Sequence, residues 1–329
     1  MKLKKIAGAA LLLAPCLFLA ACASTAKLPI TANWYANTGN ANLTGTAEKL
    51  VYDVSFEAEE ADGFSAEYAG TYTTELVAEN ITYAEGNPLG YRYRTELSLT
   101  GRFTVNGTAG AEFTDTVISE VYFLAAASDL RPIRSEREVR YNAPNPEATT
   151  ANEASVLSRF RYKVSYNADL TRAEYSFDNL QTATDDADMP TTYRISKDAT
   201  FLDDAQIFFA LRGLDYSRAY TFNTFNPVMQ KVASVTSTAP SPLPEYKATF
   251  SMKVGENEAT VAERTMSAVS LSIAYDGDRS GRSQELTYAA CVNSGANTYR
   301  NVLLSAKSVP YNALGTFRLT LKEAIFNNK

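Results

Sequence analysis

Lys49-Leu50-Val51-Tyr52-Asp53-Val54-Ser55-Phe56-Glu57 alternates strictly: Leu50, Tyr52, Val54 and Phe56 fall on one side, Val51, Asp53, Ser55 and Glu57 on the other. Successive side chains of an extended chain point to opposite faces, so period two marks a strand with one buried and one solvated face. The pattern returns along the whole chain. Tyr91, Tyr93, Thr95, Leu97 and Leu99 alternate with Arg92, Arg94, Glu96, Ser98 and Thr100. Phe160, Tyr162, Val164 and Tyr166 do the same, as do Ala248, Phe250, Met252 and Val254, and Phe317, Leu319 and Leu321. Further strands are expected near 66–79, 113–125, 130–141, 171–178, 219–224, 228–236, 264–275, 283–291 and 298–309. One-sided strands belong to antiparallel sheets, and so many cannot lie flat in one open sheet. The expected fold is mainly β: a large curved antiparallel sheet closing into a barrel or half-barrel, with one short helix packed on it. Asn106-Gly107 and Asp276-Gly277-Asp278 suit hairpin turns.

The helix is expected over Thr200–Leu211. Thr200 and Asp203 have capping-box spacing, Leu202, Ala205, Phe208 and Phe209 supply an apolar side, and Gly213 is a natural stop. Such a helix plugs an open apolar face or lids a cavity. Ser237 to Glu245 contains Pro240, Pro242 and Pro244 and is the clearest break in the pattern. It reads as a sub-boundary or as a long loop inside a single domain spanning 46–329. The single domain is preferred, because the strands after it need partners for their apolar faces.

The first residues carry an address. Lys2, Lys4 and Lys5 precede an apolar run from Ile6 to Leu19 that is short for a bilayer span and holds Pro15. Leu19-Ala20-Ala21-Cys22 follows, and the whole resembles the signal of bacterial lipoproteins. That resemblance implies removal of residues 1–21, cleavage between Ala21 and Cys22, and a diacylglycerol, with palmitate-like chains, on the Cys22 sulfur. Acyl chains contribute about 0.8 kcal/mol per buried CH₂, enough for a stable anchor when two or three are present. Aspartate after the cysteine, the retention signal of inner-membrane lipoproteins, is replaced by Ala23. The implied location is the extracytoplasmic side of the envelope: the outer membrane in a host with two membranes, the cell membrane in a host with one. Residues 22–45 lack apolar periodicity and read as a tether with a reach of about 27 Å. Trp34-Tyr35 would dock on the domain or the bilayer interface.

Composition narrows the chemistry. The 329 residues contain 37 acidic against 31 basic side chains, net −6, and no histidine. Loss of the three signal-peptide lysines makes the mature charge −9. The missing imidazole excludes Ser-His-Asp and Cys-His catalysis and His-ligated zinc. The acidic balance argues against a nucleic-acid partner. With Cys16 removed and Cys22 lipidated, Cys291 cannot form an internal disulfide and reads as a buried structural thiol. Asp276, Asp278 and Ser280 have the spacing of a calcium loop, but position 12 is Thr287, so a solvated hairpin is the plainer reading. Asp185, Asp186 and Asp188 read as an exposed turn. Arg131, Arg134, Arg137 and Arg140 place four guanidinium groups within ten residues. They would form an anion or phospholipid-head site, or a polar strand face paired to acids such as Glu96 or Glu120. No cofactor is implied, and no pair of carboxylates stands out as a catalytic couple.

Phe201-Leu202-Asp203-Asp204 through Leu211-Arg212-Gly213-Leu214-Asp215, then Tyr220-Thr221-Phe222, then Leu303 to Tyr311 and Leu314 to Leu321, resemble stretches of an exported bacterial family, domain of unknown function 3108. Where that family often has W-x-S-x-D, this chain has Tyr288-Ala289-Ala290-Cys291-Val292. The resemblance implies a curved, β-rich exported domain and carries no activity or site residues with it. Three functions follow as expectations. The first is a lipid-anchored, non-enzymatic module binding a hydrophobic ligand or an envelope component. The second is a structural or assembly lipoprotein with a protein partner, and the third a histidine-free carboxylate hydrolase.

Overall fold

A computed structural model describes residues 45–59, 63–83, 86–124, 130–145, 147–181, 190–196, 200–213, 218–226, 231–276, 283–290, 301–311 and 314–327. The first half is an antiparallel meander. Its strands are β1 (Gly45–Ala58), β2 (Phe64–Asn80), β3 (Leu89–Val105), the two-residue β4 (Thr108–Ala109), β5 (Phe113–Leu124), β6 (Pro132–Pro144), β7 (Ser155–Tyr166), β8 (Arg172–Asn179) and β9 (Thr191–Arg194). Each pairs with the next, except that β5 runs along β3 and β4 is a spur on the β3 hairpin. Asn106 and Gly107 both take left-handed φ, 49° and 78°, the backbone that a two-residue hairpin turn requires.

The second half contains β10 (Phe201–Asp203), α1 (Ile207–Ala210), β11 (Tyr220–Asn226), β12 (Lys231–Ser237), β13 (Ser241–Val254), β14 (Thr260–Tyr275), β15 (Gln284–Ala289), β16 (Leu303–Tyr311) and β17 (Gly315–Phe326). Strands β13 to β17 pair antiparallel in order. β13 then lies parallel to β17 over Ser251–Val254 and closes a five-stranded barrel. The other edge of β17 pairs with β1, so the barrel and the meander are one continuous sheet. β12 pairs with the end of β14, β11 with β12, and β10 runs parallel to β11. The two far ends of this sheet meet through side chains. Tyr193 and Tyr175 lie 4.8 and 5.6 Å from Phe225, and Tyr166 lies 5.6 Å from Phe201. Strands β7 to β9 and β10 to β11 thereby share a small core of their own.

Two local expectations are corrected. The segment from Thr200 is not one helix. Phe201–Asp203 is extended because its backbone joins β11, and a helix there would forfeit that ladder. Asp203, not Thr200, is the cap: its carboxylate accepts from Ala205 N–H, and Gln206 returns a bond to the Asp203 backbone. A 3-10 turn, the four-residue α1 and a second 3-10 turn through Gly213 complete the segment. The proline cluster breaks the chain only at Thr238–Pro240; Pro242 and Pro244 lie inside β13. There β13 pairs with β14 alone, and a bulge follows Leu243. β17 joins its other edge only from Ser251. A residue without N–H is tolerated on such an open edge.

The 200–213 segment sits inside the curve of the sheet as a plug. Leu202, Ile207, Phe209, Ala210 and Leu211 are buried. Phe209 stacks at 4.8 Å on Tyr93 and 5.6 Å on Phe123. Gln206 Nε2 donates to Leu130 O at 2.8 Å, and Tyr288 OH donates to Phe208 O at 3.0 Å. At the plug's end Arg212 makes a two-pronged, fully buried bond to Glu48 on β1, at 2.6 and 2.9 Å. No helix among the described residues is long and apolar enough to cross a membrane.

Candidate functional site

The inward face of the meander can be followed strand by strand through its register. One level reads Thr74 (β2), Thr95 (β3), Ser119 (β5), Arg137 (β6), Tyr162 (β7), each opposite the next. This is a polar row on a face where period two places the core. The next level reads Tyr72, Leu97, Val117, Val139, Phe160, again as direct neighbours. Along this second row burial falls. Tyr72, Leu97, Val117 and Phe160 are only half-buried, with Val139 between the last two buried, whereas Thr74, Thr95, Ser119 and Tyr162 in the first row are buried and only Arg137 is partly exposed. On the far side, Leu99 and Asp115 are buried again. These partly exposed inward positions, beside the buried row and beside Leu99 and Asp115, outline a candidate trough, apolar along its floor, inside the curved sheet.

Arg137 stands at the edge of this trough. Its Nε donates to Ser119 Oγ at 2.8 Å and its Nη2 to Asp204 Oδ2, on the plug, at 2.9 Å. Both side chains keep about a fifth of their surface exposed, 18% and 20%. That residual exposure on an inward-facing pair places the trough's polar end here. Burial opposes the Arg137 charge, but Asp204 and Asp203 outweigh it and hold its pKa above the ordinary value. Tyr72 and Tyr162 lie within the field of the pair, and burial pushes both hydroxyls up to about 12. Tyr275, at the end of β14, faces the same pair from the barrel side, and burial likewise raises it. Gln284 hydrogen-bonds the Tyr275 hydroxyl; the Gln284 Oε1, in a side chain only 7% exposed, has no partner. The tyrosines are therefore neutral donors and acceptors throughout the useful pH range.

Asp203 looks like a second acid beside Asp204 but is committed elsewhere. Its Oδ2 accepts from Ser135 Oγ and Tyr166 OH, both at 2.5 Å, and its Oδ1 from Ala205 N at 3.0 Å. It fastens the plug to β6 and β7. Burial raises its pKa, and the hydrogen bonds only partly offset that. The native state thus holds this proton more tightly than the unfolded chain does. Stability falls as pH rises from the ordinary 3.8 through the raised native value. Urea midpoints measured across pH 4–8 should show this loss, and Asp203→Asn should remove that component of the slope.

The residues singled out in the sequence separate here. Arg137 faces inward. Arg134 lies outward over the Tyr122 ring at 4.2 Å, Arg131 donates to Ala168 O at 3.3 Å, and Arg140 is exposed. The four guanidinium groups therefore do not form one anion site. Nor do Glu96 and Glu120 pair with them. Glu120 on β5 takes Arg92 and Arg94 of β3, because register sets Arg94 opposite it there and Glu136 opposite it on β6, and Glu96 takes Arg94 of its own strand. Glu136 and Glu138 pair instead with Arg161 across β6 and β7. Asp276 is an exposed turn residue; Asp278 and Ser280 lie outside the described residues, as do Ala21, Cys22, Trp34, Tyr35, Asp185, Asp186, Asp188 and Cys291. Among the described residues no group of three His, Cys, Asp or Glu is placed to hold a metal. Asp204, Tyr72, Tyr275, Ser119 and Gln284 were missed. The signal for one of these was present: Ser119 in β5, like Arg137 in β6, interrupts the apolar phase of its own strand.

No protein-family model matches the chain, and no curated protein matches it. Among solved structures, the chain is similar to a beta-barrel-like protein of domain of unknown function DUF1849 from Brucella abortus, with a TM-score of 0.48 and 10% identity, over 87% of this chain and all of that one.

Proposed function

We propose that this chain is a lipid-anchored, extracytoplasmic, non-enzymatic binding protein that holds one amphiphilic small molecule in the trough. The observation that carries this reading is the drop in burial along Tyr72, Leu97, Val117 and Phe160, next to the Arg137–Asp204 pair, whose side chains are each about a fifth exposed. An apolar floor ending in a few convergent polar groups is the composition of a small-molecule site. The outer surface offers little competition: among the described residues the large hydrophobics left well exposed are Val156 and Val261, on separate strands. The lipoprotein-like signal supplies the address, with Cys22 as the attachment residue.

Two measurements test the reading. N-phenyl-1-naphthylamine should bind with enhanced fluorescence, and Val117→Trp, which fills the floor, should weaken that binding about tenfold or more. Equal binding by the filled variant would contradict the trough. For the anchor, Cys22→Ser should abolish incorporation of labelled palmitate and release the protein from membranes. Continued labelling would contradict lipidation at that residue.

A further inference from the structure

The polar end of the trough holds one guanidinium, Arg137, within the field of two acids, Asp204 and Asp203, and this restricts what it can hold. Arg137 and Asp204 neutralise each other at 2.9 Å. After the bonds to Ser119 and Asp204, the Nη1 of Arg137 has no partner among the described residues, and neither does Asp204 Oδ1. The unpaired Oε1 of Gln284 adds an acceptor, in a side chain more than nine-tenths buried, beside the Tyr275 hydroxyl. Tyr72 and Tyr275 add hydroxyls that both donate and accept. The set is mixed, with donors and acceptors close together and a fixed carboxylate among them. A carboxylate or phosphate head brought to Arg137 also meets Asp204, bonded to it at 2.9 Å, and that repulsion offsets the attraction. Adjacent hydroxyl groups, each donor and acceptor at once, satisfy the set without bringing charge into it.

From this we infer that the trough selects amphiphiles with an uncharged, hydroxylated head, of the glycerol or sugar type, over anionic amphiphiles of equal chain length. The inference rests on the proposed function, because it assumes that the trough takes an apolar chain.

Monododecanoylglycerol and dodecanoate, which share one acyl chain, separate the two. Titrated below their aggregation limits into the chain from Ala23 onward, which retains every described strand, the glycerol ester should bind about tenfold more tightly. Asp204→Asn, which removes one of the two acids acting on Arg137, should strengthen dodecanoate binding about tenfold and so narrow or reverse the preference for the ester, read as the ratio of the two affinities. If neither compound binds, the trough reading itself falls. If both bind and dodecanoate matches or exceeds the ester, the trough stands and the head-group inference is overturned. The wild-type comparison needs no variant, so poor folding of Asp204→Asn would not rescue the inference.

Discussion

Arg212→Ala is expected to lower the unfolding free energy by about 3–5 kcal/mol, among the largest effects of any single substitution in this chain. Arg212 and Glu48 are each 3% exposed and joined through both terminal guanidinium nitrogens. Removing one partner strands a carboxylate in the core, where its desolvation is no longer offset. The pair is not a source of stability in itself. A buried ion pair replaced on both sides by apolar residues is often neutral or better. Arg212→Met with Glu48→Met should therefore recover most of the loss, whereas Arg212→Ala alone should not. Urea unfolding of the two variants and of Glu48→Met distinguishes these outcomes. Equal losses in the single and double variants would mean that the plug's end is fixed by something other than this pair.

Phe209→Ala is expected to cost about 3–5 kcal/mol as well. The ring is 1% exposed and touches Tyr93 and Phe123 from the inside of the sheet. Its loss leaves a void that rigid strands on both sides cannot collapse to fill. Arg212 sits 5.6 Å over the same ring, so the two sites share a neighbourhood. Their combined effect should be less than additive, because either change loosens the same plug. Thermal unfolding of the single and double variants reads this directly. Full additivity would indicate that the plug's end and its aromatic face are held independently.

Most of the sheet was legible because period two survives in any strand with one wet face. Residues such as Tyr91 to Leu99 and Phe160 to Tyr166 face inward as their alternation requires. The plug was legible in place and in composition but not in conformation. Capping spacing and apolar content at Thr200–Leu211 suit a helix, and nothing local reveals that Asn223 to Phe225 will offer Phe201–Asp203 a parallel ladder. Strand β9, Thr191–Arg194, was missed because two threonines, a tyrosine and an arginine carry no buried alternation; it is an edge strand with little to bury. The site was half legible. The arginine-rich stretch was visible as a cluster. That only Arg137 turns inward follows from strand phase, and its partners Ser119 and Asp204 from register and from the path of the plug. Contacts between residues 67 positions apart, such as Arg137 and Asp204, are set by topology and leave no mark in spacing.

Native mass spectrometry of the domain purified under mild conditions shows whether the interior holds a ligand. A single adduct of lipid-like mass per chain is expected. It should be removable by organic extraction, restored by adding an amphiphile, and lost in Val117→Trp. A mass equal to the bare chain, with no uptake from a mixture of amphiphiles, would contradict an interior that holds a ligand.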